Sequence, residues 1–237
     1  MLSYRNKAIE KAELKEECAP SFVSEPFVQV TDSEKIRIEM MYPILGMENG
    51  EKNCYMRKSV YAMLERAAEL LDPGYRFVIW DAWRPFALQK ELFVKYRIGI
   101  IRDFHLENMD EKEQVKFISR FVADPVRNKV VPPAHTTGGA LDLTLEKDGK
   151  KLDFGTGFDA FTDKTETVWY ESHDESTLIR DNRRMLYHVM IKAGFTNLPS
   201  EWWHYEYGDR NWSMVTGKPA LYQGVWTKEE FTEMRRQ

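Results

Sequence analysis

Cysteine is nearly absent from this chain: Cys18 and Cys54 are the two among 237 residues. Two thiols exclude a disulfide framework for a chain of this size and leave one Cys18–Cys54 bridge open. Long apolar runs are missing too, and nothing approaches the ~20 residues needed to cross a bilayer. The opening stretch MLSYRNKAIEKAELKEECAPSF carries charges every few positions and has no apolar segment of the secretory type. Cytoplasmic residence is the expectation. Positive charge is not in excess, with 34 basic against 38 acidic residues and a net charge of −4. That total gives no reason to expect nucleic-acid binding, which usually needs a basic face or stripe. The chain also lacks internal repeats, a linker rich in glycine, serine or proline, and a glycine-rich phosphate loop after a strand.

What is present suits one sizeable core, with 43% hydrophobic and 13% aromatic residues, seven of them Trp. A single domain over 1–237 is expected, with residues 1–25 forming a surface helix or arm. The spacing of Val60, Leu64, Ala67 and Leu71 predicts a helix over 57–71, stopped by Asp72-Pro73-Gly74. YRFVIW (75–80) reads as a buried strand, and a helix follows Arg84-Pro85 over about 86–96. Asp110 and Glu113 resemble a capping box for a helix over 110–123. ALDLTL (140–145) alternates, with three leucines on one face and Ala140, Asp142 and Thr144 on the other. A long helix over about 175–193 ends at Gly194. Short strands are expected at 195–198 and 202–207. The mixture lacks regular β-α alternation, so the expected class is α+β, a central and mainly antiparallel sheet flanked by helices.

Three segments hold polar residues that this pattern does not require. In PPAHTTGGALDLTL (132–145), Asp142 lies opposite a leucine face. His135 precedes it by seven residues and can return beside it only if Thr136 to Gly139 fold the chain back. The spacing alone is weak, and a solvated Asp142 with an unrelated loop histidine is the plainer alternative. In PSEWWHYEY (199–207), His204 and Glu206 share one strand face. Glu201 joins them only from a turned strand entrance; otherwise His204 is a hydrogen-bonded core histidine and Glu201 an exposed acid. In IWDAWRPF (79–86), Arg84 either pairs with Asp81 or offers its fork of donors to an anion.

Together these segments supply the parts of a catalytic zinc site: three protein ligands, a base and an electrophile for an oxyanion. His135, Asp142 and His204 would be the ligands, Glu201 the general base and Arg84 the oxyanion donor. The remaining histidines suit plainer roles, His188 half-buried in a helix, His105 in a loop and His173 in solvent.

At these residues the chain resembles the zinc-dependent D-alanyl-D-alanine dipeptidases, relatives of the D,D-carboxypeptidases and the hedgehog signalling domain. The blocks WDAWRP, HTTGGALDLTL, GTGFDAF and AGFTNLPSEWWHYEY carry the resemblance over about residues 79–207. It implies a hedgehog/D,D-peptidase-like fold, one Zn2+ per chain and the same role for each of the five residues above. It also implies that Asp159 meets the free amino group of a small dipeptide, with Tyr42 beside it. Peptidoglycan metabolism follows by analogy, and a homo-oligomer is compatible. Two departures stand out: Pro133 occupies a position where the family usually has serine, and PILGMENG after Tyr42 lacks an Asn-Phe pair common before the glycine. A related D,D- or L,D-peptidase or carboxypeptidase acting on longer peptides is the nearest rival. A non-catalytic zinc-binding module is the rival from another class.

Overall fold

The computed structural model describes residues 1–125 and 131–235. A short 3-10 turn, Leu2–Asn6, opens the chain, and residues 7–26 follow as an arm without regular structure. The arm is tied down, because the amides of Lys15, Ser21 and Val23 donate to the carbonyls of Met214, Ala220 and Leu221. Next come β1 (Phe27–Val30), β2 (Ile36–Ile38), the one-turn helix α1 (Met41–Ile44) and β3 (Cys54–Arg57). Helix α2 (Lys58–Glu69) buries Val60, Leu64 and Ala67 on one face and leads to β4 (Tyr75–Asp81). Both cysteines are free thiols, so the bridge left open by the sequence does not form.

Helix α3 (Phe86–Asp103) runs seven residues past its expected end. Leu88, Leu92 and Ile100 keep one face buried, and that burial carries the helix through Gly99. Helix α4 (Glu111–Ile118) is shorter than expected, although its Asp110 cap forms as predicted and accepts from the Glu113 amide at 3.0 Å. Beyond it, residues 119–122 turn, and Val122 still packs against α3. Strands β5 (Ala140–Lys147) and β6 (Lys150–Lys151) precede the single-turn α5 (Trp169–Ser172). Helix α6 (Thr177–Ala193) ends at Gly194 in the left-handed conformation (φ 108°). The chain closes with β7 (Thr196–Asn197), β8 (His204–Glu206), α7 (Arg210–Thr216) and α8 (Lys228–Arg235).

The main sheet has the order β2-β4-β5-β8-β7, with β6 beside β5, and the pairing is antiparallel except for β2 with β4. The α+β arrangement of a mainly antiparallel sheet with helices is therefore as expected. Phe77, Ile79, Leu141, Leu143, Leu145 and Tyr205 form one core with α2 and α6. The other face of β5 and β8 carries polar residues, and α3 with the segment after α4 forms a second apolar cluster that includes Tyr42. Phe158 packs against both clusters.

A β-bulge decides what the polar face holds. Ile79 pairs with Leu143, but Asp81 pairs with Asp142, so β4 advances two residues while β5 advances one. The extra residue reverses the alternation and turns Asp81 away from the leucine face toward Asp142.

Candidate active site

Asp142 and His204 face each other across β5 and β8 as register partners. His135 reaches them from the sharp turn that the sequence required: Ala134–Thr137 form a 3-10 turn, and Gly138 takes φ 75° to re-enter the sheet. His135 Nε2 lies 3.2 Å from His204 Nδ1 and 3.3 Å from Asp142 Oδ2. Asp142 Oδ1 lies 2.9 Å from His204 Nδ1. Burial works against ionising Asp142, yet His135 and His204 hold its carboxyl well below the usual carboxylate range.

The outer ring nitrogens are also engaged. His135 Nδ1 is 2.8 Å from the Ala82 carbonyl, and His204 Nε2 is 2.9 Å from Glu206 Oε1. A carbonyl can only accept, so His135 Nδ1 carries the proton and Nε2 is left as a lone-pair donor. His204 differs, because carboxylates meet both of its ring nitrogens, Glu206 on Nε2 and Asp142 on Nδ1. Burial works against charging it, yet the two acids raise its pKa well above the usual histidine range. A metal taking Nδ1 would leave the proton on Nε2, facing Glu206.

These residues fit a metal. Two imidazole nitrogens and a carboxylate oxygen, one from each residue, lie within 4.8 Å of one another. Ligands about 2.0–2.2 Å from a tetrahedral zinc are roughly 3.3 Å apart, close to the separations found here.

Arg84 adjoins this group at the end of β4. Its Nε donates to Asp81 Oδ2 at 2.8 Å, Nη1 to Gln89 Oε1 at 2.9 Å and Nη2 to the Tyr42 hydroxyl at 3.0 Å. The same Nη2 is 3.7 Å from Asp142 Oδ2. Arg84 is thus ion-paired with Asp81, the structural one of its two readings, and lies beside the triad. Glu201 sits at the turned entrance to β8, where the His204 amide donates to its carbonyl at 3.3 Å. Its Oε2 is 3.8 Å from His204 Nδ1. Burial, with Asp142 and Asp159 adding repulsion, pushes Glu201 up to about 8.

Asp159 lines the same cavity as these residues, joined to Arg84 through the Tyr42 hydroxyl. It adopts φ 54°, a left-handed conformation uncommon for a residue with a side chain. Two hydroxyls hold one of its oxygens: Tyr42 and Tyr96 donate to Oδ2 at 3.0 and 2.7 Å. Burial pushes Asp159 up to about 6, against the pull of those bonds and of Arg84. All seven residues singled out in the sequence line one cavity of about 790 Å³.

Sequence reasoning passed over Tyr96, Gln89 and Asn211, which also line this cavity. Tyr96 falls at the edge of the predicted helix, and nothing local marks it as a partner of a residue 63 positions away. Glu206 gave a signal, the shared strand face with His204, that carried no role. Pro133 lines the cavity where a serine hydroxyl was expected, and its carbonyl accepts from Thr136. The other histidines lie elsewhere. His188 meets the Lys7 carbonyl at 2.9 Å under the arm, His173 stacks on Trp169 at the surface, and His105 follows α3 with φ 55°.

An α+β fold with a ligand-type triad, an acid and an arginine around one cavity defines a hydrolase of the peptidase class with a site able to hold a metal. The particular family follows from comparison. Residues 44–221 match the family described as D-ala-D-ala dipeptidase, and the chain belongs to it. Three D-alanyl-D-alanine dipeptidases are similar. That of Synechocystis is 28% identical, covering 73% of this chain and 77% of its own. That of Escherichia coli is 27% identical, covering 72% and 78%. That of Enterococcus faecium is 27% identical, covering 60% and 67%.

Proposed function

We propose that residues 1–237 act as one zinc-dependent dipeptidase domain that hydrolyses D-alanyl-D-alanine or a close dipeptide. The observation that carries this reading is the convergence of His135, Asp142 and His204 with Glu201, Arg84 and Asp159 on one cavity. The three ligand-type residues would hold the ion. Bound zinc supplies Lewis-acid polarisation of the scissile carbonyl and lowers the pKa of water. Glu201 takes the proton of the attacking water and passes it to the leaving amine. Arg84 donates through its guanidinium to the developing oxyanion. Asp159 pairs through its carboxylate with the substrate ammonium, so a free N-terminus is required. The names of the relatives support the D-alanyl-D-alanine preference; a cytoplasmic role in peptidoglycan metabolism is part of the proposal by analogy.

Amino-acid release from a panel of stereoisomeric dipeptides, with and without N-acetylation, tests the substrate. D-alanyl-D-alanine should be cleaved and its acetylated form refused. Equal cleavage of the two would favour a peptidase of longer chains. Glu201→Ala should retain zinc through dialysis and lose hydrolysis. Loss of zinc in that variant would make Glu201 a ligand instead. A non-catalytic zinc module would need neither Glu201 nor Arg84.

A further inference from the structure

The side chain behind His204 has no role in the mechanism above. Glu206 is 1% exposed, lies on the sheet face shared with His204, and is held in register between β5 and β7 opposite Ala140 and Thr196. Its Oε1 takes two hydrogen bonds, from His204 Nε2 at 2.9 Å and from Asn211 Nδ2 at 2.7 Å. Asn211 is fixed in turn by α7, whose cap Asp209 accepts from the Trp212 amide at 2.9 Å. A carboxylate buried this deeply carries a desolvation cost unless its partners need it.

We propose that Glu206 is a positioning residue for the metal site: it holds the proton of His204 on Nε2, fixes the ring and makes Nδ1 the ligand atom. The inference rests on the reading of His204 as a ligand. The two imidazoles would bind through different nitrogens, because their outer partners differ. A backbone carbonyl orients His135, whereas a full negative charge backs His204 and raises the basicity of its inner nitrogen. Asn211 donates to the same Glu206 oxygen and helps to fix it against His204.

The test measures zinc affinity by competition with a chromogenic chelator, together with the Tm of the zinc-free protein. Outer partners of this kind typically change metal affinity by about 10–100-fold. Glu206→Ala should weaken zinc binding toward the upper end of that range. Glu206→Gln keeps the shape and an acceptor but removes the charge, and should weaken it about tenfold. Asn211→Ala should have a smaller effect of the same sign. Wild-type zinc affinity in folded Glu206→Gln overturns the proposal, as does a lowered zinc-free Tm with unchanged affinity, which is what a purely structural acid would give. Should Glu206→Ala fail to fold, Glu206→Gln decides alone. His204→Ala separates the layers: if it binds zinc like the wild type, the ligand reading fails, and with it the basis of this one.

Discussion

Arg84 has a structural role in its pair with Asp81 and, in the mechanism proposed above, a functional one as well. Asp81, Gln89 and Tyr42 occupy all three of its nitrogens, so the guanidinium plane is fixed before any substrate arrives. A donor that needs no reorganisation is worth most in such a site, typically about 2.7–4 kcal/mol of transition-state stabilisation. Arg84→Ala should therefore lower kcat by roughly 10²–10³-fold with zinc content unchanged, measured by turnover alongside metal analysis. Asp159 gives a prediction with two opposite signs. Its folded pKa of about 6 lies above the ordinary Asp value of roughly 3.9. Pairing with an ammonium needs the ionised form, so kcat/KM for free dipeptides should fall as pH drops through 6. Folding responds the other way, because stability is fullest below the unfolded pKa and lost as pH rises through the folded one. Asp159→Asn should remove the limb near 6 and keep the one that Glu201 as base imposes near 8. It should also raise KM and leave Tm at pH 7–8 equal to or above that of the wild type. A retained limb near 6 in that variant would assign that titration to another group.

At the scale of elements, the site depends on three local devices. The bulge in β4 turns Asp81 onto the site face, and the bend before β8 does the same for Glu201. The third is Gly138, whose φ of 75° suits glycine, and a Cβ there would collide with the Phe27 ring. The left-handed conformation alone costs an alanine roughly 1–2 kcal/mol. Gly138→Ala should therefore lower Tm by several degrees and, by displacing His135, reduce zinc occupancy. Zinc occupancy as high as in the wild type would show that the turn does not set the ligand. These devices differ in how legible they are. The leucine alternation of β5, the Asp110 cap and the Gly194 stop are one-dimensional patterns, and each forms where its residues predict. The ends of α3 and α4 depend on which side chains the opposite cluster buries, and local spacing does not contain that information.

At the scale of the whole molecule, the three residues that could hold a metal come from a turn and two strands that adjoin only in the folded sheet. Binding at such a site is linked to folding. Hundredfold excess of zinc over its dissociation constant would add about 2.7 kcal/mol, or roughly 5–10 °C in Tm for a chain of this size. Chelation should remove that increment and added zinc should restore it, as read by thermal melts; an unchanged Tm would argue against a preformed zinc site. No helix among the described residues is long and apolar enough to cross a membrane. The sequence by itself determined the α+β class, the strand that carries Asp142 and the inventory of two histidines, two acids and an arginine, because periodicity and residue chemistry act locally. Only the tertiary structure decided that Tyr96 and Tyr42 share one oxygen of Asp159, that Asp81 faces Asp142, and that Glu206 backs His204. Those are contacts made by strand register, a bulge and helix packing, which bring together side chains whose spacing in the chain carries no trace of the meeting.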